Sequence, residues 1–268
     1  MGLSTSANKR KIRESAGDRL FLGGIYVFLA LVLIAVLYPL IYIVSASFSD
    51  PSAVTSGKVW LFPIDPTLEG YTTVFKNQQI IQGFSNSLFY AVAGTLISVA
   101  ITIMLAYPLS RKTFYGRGFI MFLLVFTMIF DGGLIPRYLV VKNLGFIDTI
   151  WALLLPSALA VFQVIIARTF FQATIPDDLV EASEIDGCSD ITFIWKVVLP
   201  LSKPIIAVLV LMYAVAKWNM YFEAMIYLKS EELFPLQLIL RSVLILDADP
   251  NADVMEMLRA QGLRELMK

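Results

Sequence analysis

The sequence contains no histidine and a single cysteine, Cys188. Without histidine, the commonest general base near neutral pH and the commonest metal ligand are both missing. One thiol cannot form an internal disulfide or a paired-cysteine metal site. Enzymatic chemistry is poorly provisioned, and neither a cofactor nor a bound metal is expected. Charge of one sign is also lacking: 21 Lys and Arg balance 21 Asp and Glu, with no basic stripe interleaved with aromatics, so nucleic acid finds no support as a partner. No G-x-x-x-x-G-K-[ST] segment occurs, so any ATP used is bound by another chain.

What the chain has in quantity is apolar length. Hydrophobic residues make up 58% of the 268, charged residues only 16%, and the mean hydropathy is +0.75, which is too apolar for an ordinary soluble domain. Crossing a bilayer takes about 20 apolar residues. On that measure five spans are expected, at 20–46, 85–109, 117–141, 149–172 and 204–228. The first is too long for the h-region of a signal peptide, about 7 to 15 residues, and is read as a retained span.

Lysine and arginine set the orientation. Lys9, Arg10, Lys11, Arg13 and Arg19 occupy the tail 1–19, and Arg111, Lys112 and Arg117 the loop after the second span, so this side is cytoplasmic by the positive-inside rule. The loop 47–84, with Pro51, Gly57, Pro63 and Pro66, then forms a small external cap, and 177–200 faces the cytoplasm. The remainder, 85–268, is the core domain, ending in an external segment 229–268. That segment lacks a sixth span, which is expected to follow Lys268 in a longer gene product.

The cytoplasmic stretch 181-EASEIDGCSDITFIWKVVLP-200 is acidic and then amphipathic. Asp177 or Asp178 caps a short helix through Ile185, Gly187 ends it, and Ser189 or Asp190 caps a second. In the second helix Ile191, Ile194, Trp195, Val198 and Leu199 fall on one face, and Pro200 breaks it before the fifth span. Taken alone, such a hairpin fits an interfacial connector as well as a docking surface.

The spacing adds a resemblance. Glu181-Ala182-Ser183, three residues, Gly187, nine residues and then Val197-x-Leu199-Pro200 resembles the E-A-A-x3-G-x9-I-x-L-P signature of permeases of ATP-binding-cassette (ABC) importers. Ser183 replaces the second alanine and Val197 the isoleucine. Asn86-Ser87-Leu88, Ala106-Tyr107-Pro108-Leu109-Ser110-Arg111, Thr67-Leu68-Glu69-Gly70-Tyr71 and Asp131-Gly132-Gly133-Leu134-Ile135-Pro136 are similar to segments of carbohydrate importer permeases. Trp218-Asn219 is similar to their W-N-[DE]-[FY], with Met220 where an acid is usual. Together these look most like the second permease of oligosaccharide importers of the maltodextrin type.

The resemblance implies an all-α polytopic helix bundle of the type I ABC importer class in a bacterial inner membrane. It implies a second, homologous permease as heterodimer partner, two cytoplasmic ABC ATPases, an external solute-binding protein and an oligosaccharide substrate. It makes 177–200 the coupling loop, with Glu181, Ala182, Ser183, Gly187, Ile191, Ile194, Trp195, Leu199 and Pro200 as its contacts to the ATPase. It leaves ATP hydrolysis to the partners.

Charges at membrane depth cost roughly 2.5 to 3.5 kcal/mol each on insertion scales and need a reason. Lys217 and Glu223 lie in the fifth span, where helical spacing places Asn219 and Glu223 on one face and Tyr213, Lys217 and Tyr221 on a neighbouring stripe. They serve interhelical hydrogen bonding, an ion pair with the partner subunit, or a sugar path in which Trp218 or Tyr221 stacks on a pyranose ring. Asp131-Gly132-Gly133 and Pro136 interrupt the third span, as a gate or as a helix end with a re-entrant turn. Asp131 and Glu223 would carry protons in an ion-coupled secondary transporter, an alternative that gives 177–200 no task. A non-transporting scaffold would not need intramembrane charges.

Overall fold

The computed structural model describes residues 15–248. The expectations resting on Lys9, Arg10, Lys11 and Arg13, and on the chain beyond Ala248, lie outside the described residues. Every regular element among the described residues is helical. The chain divides after Lys76 into two compact units.

The first unit holds α1 (Ala16–Ser47), α2 (Pro51–Thr55) and α3 (Glu69–Lys76). Ser15 and Asp18 close a capping box at the start of α1, with Ser15 Oγ accepting from the Gly17 amide at 3.3 Å. Residues Gly17–Ser47 are long and apolar enough to cross a membrane. Beyond them the chain folds back on the helix end. Ser45 Oγ donates to the Leu61 carbonyl at 2.6 Å, and the Ile64 amide donates to Ser49 Oγ at 3.0 Å. These side chains satisfy backbone groups in a stretch without strands.

The second unit is built around α4 (Gln78–Ser110). Its buried face carries Gly83, Ser87, Gly94, Thr95, Ser98, Thr102 and Ala106, small residues that let neighbouring helices approach closely. At two such approaches a β-carbon would force a neighbour to shift. At Gly94 one would meet the Lys217 stem at 3.0 Å, and at Gly83 one would overlap Ile239 and come within 3.2 Å of the Leu236 Cα.

The elements that pack on α4 are shorter than the expected spans. The stretch 117–141 is α5 (Arg117–Ile129) and α6 (Leu134–Asn143), bent by 116°. The 13 residues of α5 rise about 20 Å, short of a hydrocarbon core of about 30 Å. Gly133 at φ 82° turns the chain, the Asp131 carboxylate accepts from its amide at 2.8 Å, and Pro136 sits in the first turn of α6, where a missing N–H breaks no intrahelical bond. The break is thus a helix end followed by a turn.

Stretch 149–172 is likewise α7 (Trp151–Leu154) and α8 (Val161–Thr174), separated by an irregular segment containing Pro156. The hairpin 177–200 follows as α9 (Asp177–Ile185), α10 (Asp190–Phe193), a π turn over Ile194–Val198 and α11 (Leu199–Leu201). After an 83° bend at Ser202 comes α12 (Lys203–Trp218), then α13 (Tyr221–Tyr227) and α14 (Leu236–Ala248).

Pro200 does not break the second hairpin helix as expected; the direction changes two residues later. The π turn is the physical reason. The Leu199 amide reaches back five residues to the Ile194 carbonyl, and the wider turn accommodates a proline that lacks an amide of its own.

The core has two clusters. One joins Val99, Ile103, Ala106 and Tyr107 of α4 to Val164, Ala167 and Phe171 of α8, to Phe193 and Val198, and to Leu209 and Tyr213 of α12. The other joins Tyr90 to Val141, Leu153, Leu154, Met220, Ala224 and Tyr227. The helix breaks at 155–160 and 219–220 adjoin the second cluster through buried Leu154 and Met220, while Leu155, Pro156, Leu159 and Asn219 remain exposed.

Candidate functional site

The hairpin 177–200 is closed by local chemistry. Asp177 and Asp178 place negative charge in the first turn of α9, against the positive end of the helix dipole. At the other end, Gly187 at φ 70° donates to the Glu184 carbonyl at 3.0 Å, and Cys188 donates to the Ser183 carbonyl at 2.9 Å. This pair of bonds is the Schellman motif, and glycine at its left-handed position avoids the β-carbon penalty. Ser189 Oγ then caps α10 by accepting from the Thr192 amide at 3.4 Å.

The apolar residues of the second helix do not share one face, contrary to the helical spacing. Phe193 (3% exposed) and Val198 (0%) turn into the core, with Ile194 and Leu199 half-buried beside them. Ile191 (71%) and Trp195 (69%) stand outward, together with Ile185 (87%) at the tip of α9. The π turn explains the split: it brings residues five apart into register, and Phe193 and Val198 are five apart. Glu181 and Ala182 are exposed, Ser183 is half-buried with its hydroxyl on the Val180 carbonyl, and Pro200 is exposed. Phe193 was invisible to the spacing argument because it falls between the expected face positions.

The base of the hairpin is clamped to the end of α4. Arg111 is buried, and its guanidinium donates to the Phe171 carbonyl at 3.2 Å and the Ile175 carbonyl at 3.1 Å. It also donates through Nε to Ser110 Oγ at 3.0 Å and lies 3.7 Å from Asp177. Lys112 pairs with the other oxygen of Asp177 at 3.1 Å. In return, Arg168 of α8 donates to the Leu109 carbonyl at 2.9 Å, near the end of α4. The sequence marks Arg111 as a topology signal and as part of a family-like segment but not as a joint, since nothing in its neighbourhood announces carbonyl partners some 60 residues away.

The polar residues of the expected fifth span part company. Lys217 is buried and donates to the Leu153 and Leu154 carbonyls at the end of α7 (3.1 and 3.4 Å) and to Ser157 Oγ at 2.8 Å. Tyr213, also buried, shares a 2.7 Å hydrogen bond with Thr102. Asn219 is exposed and its amide folds back on the Val215 carbonyl at 2.8 Å, ending α12. Met220 at φ −84°, ψ 68° and the 3.0 Å bond from the Tyr221 amide to the Asn219 carbonyl form an inverse γ-turn. Asn219 and Glu223 therefore do not share a helical face, because the helix is interrupted between them.

Trp218 is half-buried and meets Phe84 edge-on at 5.8 Å, Tyr221 is exposed beneath the Arg241 guanidinium at 5.6 Å, and Glu223 is half-buried. Asp131 is exposed, at the start of α6, and pairs with Arg137 at 3.5 Å. Trp218, Asn219 and Tyr221 thus gather at one break, while Lys217 is turned away into the packing. Among the described residues no group of His, Cys, Asp and Glu is arranged to hold a metal ion.

Comparison with known proteins places this geometry. Residues 2–241 match the family model described as binding-protein-dependent transport system inner membrane component. The chain is 42% identical to the polygalacturonan/rhamnogalacturonan transport system permease protein YtcP of Bacillus subtilis (strain 168), over 90% of this chain and 84% of that one. It is 41% identical to Protein LplC of the same organism, over 88% and 78%. Among solved structures it is similar to a bacterial ABC transporter involved in the import of the acidic polysaccharide alginate, with a TM-score of 0.85 and 35% identity over 93% of this chain and 88% of that one.

Proposed function

The chain belongs to the family of binding-protein-dependent transport system inner membrane components, and from that premise we propose that it carries an oligosaccharide inward, driven by ATPase subunits through the 177–200 hairpin. It is a membrane-embedded permease subunit of an ABC importer, and it works with a permease partner, ATPase subunits and a solute-binding protein. In the finer reading the partner is a second, dissimilar permease, and two ATPases sit on the cytoplasmic face of a bacterial inner membrane. The binding protein delivers cargo from outside, and the N-terminus of this chain is cytoplasmic. The YtcP relative is named for polygalacturonan and rhamnogalacturonan and the solved importer for alginate, so the cargo proposed here is an acidic oligosaccharide.

The observation that supports docking through the hairpin is the outward exposure of Ile185, Ile191 and Trp195 on a hairpin whose base is buried. Covering the exposed two-thirds of Trp195 removes some 100 to 170 Å² from water, an upper limit of roughly 3 to 4 kcal/mol. Glu181 on the exposed face supplies a charge for a basic residue of the ATPase. Along the path, Trp218, Asn219 and Tyr221 at the γ-turn meet the sugar, with Glu223 nearby, and Lys217 holds the wall. Asp131 holds the Gly133 turn before α6 and pairs with Arg137, which gives it a task without the proton transfer of the ion-coupled alternative.

Two measurements test this reading. Trp195→Ala combined with Ile191→Ser should abolish co-purification of the ATPases while leaving the partner permease bound; retained ATPases would overturn the docking assignment. In the reconstituted complex, ATPase activity should rise with the binding protein loaded with uronate oligomers and not with neutral ones; stimulation by neutral oligomers alone would overturn the cargo assignment.

A further inference from the structure

We propose that Arg111 is the positioning residue that makes the 177–200 hairpin and α4 move as one body, so that displacement of the hairpin is delivered to the external segment 232–237. The proposal rests on the reading of the hairpin as the ATPase contact.

The inner joint is short and rigid. Ile175 and Asp177 are separated only by Pro176, which caps α9, and both hold the same guanidinium. The Ile175 carbonyl lies just past the end of α8, where carbonyls lack helical partners and a cation is favoured. Arg111 thus joins the end of α8, the start of α9 and its own helix through one planar group whose donors have fixed directions. The Arg168 bond to Leu109 and the Gln172 bond to the Ser110 carbonyl at 3.4 Å brace the same joint from α8. A buried arginine that lost these acceptors would stand as an uncompensated charge, so the joint resists opening.

The outer joint lies at the other end of α4. Asn86 Nδ2 donates to the carbonyls of Glu232 (2.7 Å) and Phe234 (3.0 Å). Ser87 Oγ accepts from the Leu236 amide at 2.8 Å and donates to Gln237 Oε1 at 3.0 Å, and Tyr90 OH donates to the Leu233 carbonyl at 2.9 Å. The 33 residues of α4 extend about 50 Å, enough to run from one side of a bilayer to the other. A push on α9 therefore has an unbroken chain of bonded contacts to the segment 232–237.

Two experiments on the reconstituted complex test this. In a Cys188→Ser background, Lys112→Cys and Asp178→Cys are bridged by a short bifunctional thiol reagent with Arg111 in place. Uptake should stay within about twofold of the unbridged complex, since parts that move together are not hindered by a tether. Loss of uptake on bridging, restored by a cleavable reagent, would show relative motion and overturn the proposal. Separately, Arg111→Gln should retain its ATPases, because Ile191 and Trp195 are untouched, yet lose uptake per ATP hydrolysed by about tenfold. Bridging residues 112 and 178 in that variant should recover most of the loss, a rescue that a merely structural role would not produce. Arg111→Gln with undiminished coupled uptake would also overturn the proposal. If that variant does not assemble, the bridge in the Arg111 protein decides alone. Loss of ATPase association on replacing Trp195 reads the docking assignment, whereas uptake per ATP reads transmission, so the two can fail separately.

Discussion

Gly187 separates two roles that a single substitution usually confounds. Its φ of 70° penalises any β-carbon by about 1 to 2 kcal/mol, yet nothing in this chain lies within 4 Å of where that carbon would stand. Gly187→Ala and Gly187→Leu should therefore lower the thermal stability of the hairpin by the same amount. Only the leucine should weaken ATPase association, because only its bulk reaches the partner. Equal association of the two variants would place this position outside the docking surface. Lys217 makes the opposite kind of case. Its ammonium satisfies two carbonyls and a hydroxyl in the packing, so Lys217→Met should destabilise the subunit by about 1 to 3 kcal/mol, with detergent-solubilised thermal unfolding as the measurement. Unchanged unfolding would return Lys217 to the candidate sugar path.

At the scale of elements, one latch responds to pH. Asp148, at φ 60° in the turn before α7, accepts from the Ser230 hydroxyl at 2.7 Å and from the amides of Lys229 and Ser230, each at 2.8 Å. The Ser230 side chain first, then the two amides, hold its carboxyl below the ordinary value of 3.8. A depressed value means the folded state favours the carboxylate. The latch contributes fully above the ordinary value and is lost as pH falls through the lower, folded value. A spin label at Lys229 should accordingly become mobile only in acid, below about pH 4, and Asp148→Asn should make it mobile at every pH. A label equally restrained in Asp148→Asn would show that other contacts hold the segment.

The same scale shows where sequence reading succeeds and stops. The first two long apolar helices, the Gly187 turn and the interruption at Asp131 were legible, because each depends on local chemistry: apolar length, a left-handed position, a proline beside glycines. The breaks in the fourth and fifth spans were not. Asn219 ends α12 by folding onto the carbonyl four residues back, and the same residue type could equally have remained helical. The split of the hairpin face was hidden for a related reason, since nothing in periodicity announces a π turn. The Arg111 joint depended on pairing distant segments, which a single sequence does not display.

For the molecule as a whole, orientation is the quantity to measure. The loop 47–84 and the segment from Lys229 onward are proposed to lie on one side of the membrane and the 177–200 hairpin on the other. Cysteines introduced at Thr55 and Lys229 should react with an impermeant reagent in intact cells, while one at Arg13 should not. Reaction at Arg13, or protection at both other positions, would reverse the orientation and with it the side from which ATPases approach.

Lys217 also has a consequence for how the protein is made. Its acceptors, Leu153, Leu154 and Ser157, lie 60 to 64 residues earlier in the chain, and Gly94, which leaves space for its stem, lies earlier still. They leave the ribosome first. The cradle for the ammonium is thus already synthesised when α12 reaches the insertion machinery, and a lysine that would be costly in lipid can be handed directly to waiting carbonyls. Insertion of α12 is therefore expected to depend on α7, whose carbonyls receive the ammonium, so a nascent chain that has lost α7 should present a charged helix with nowhere to settle.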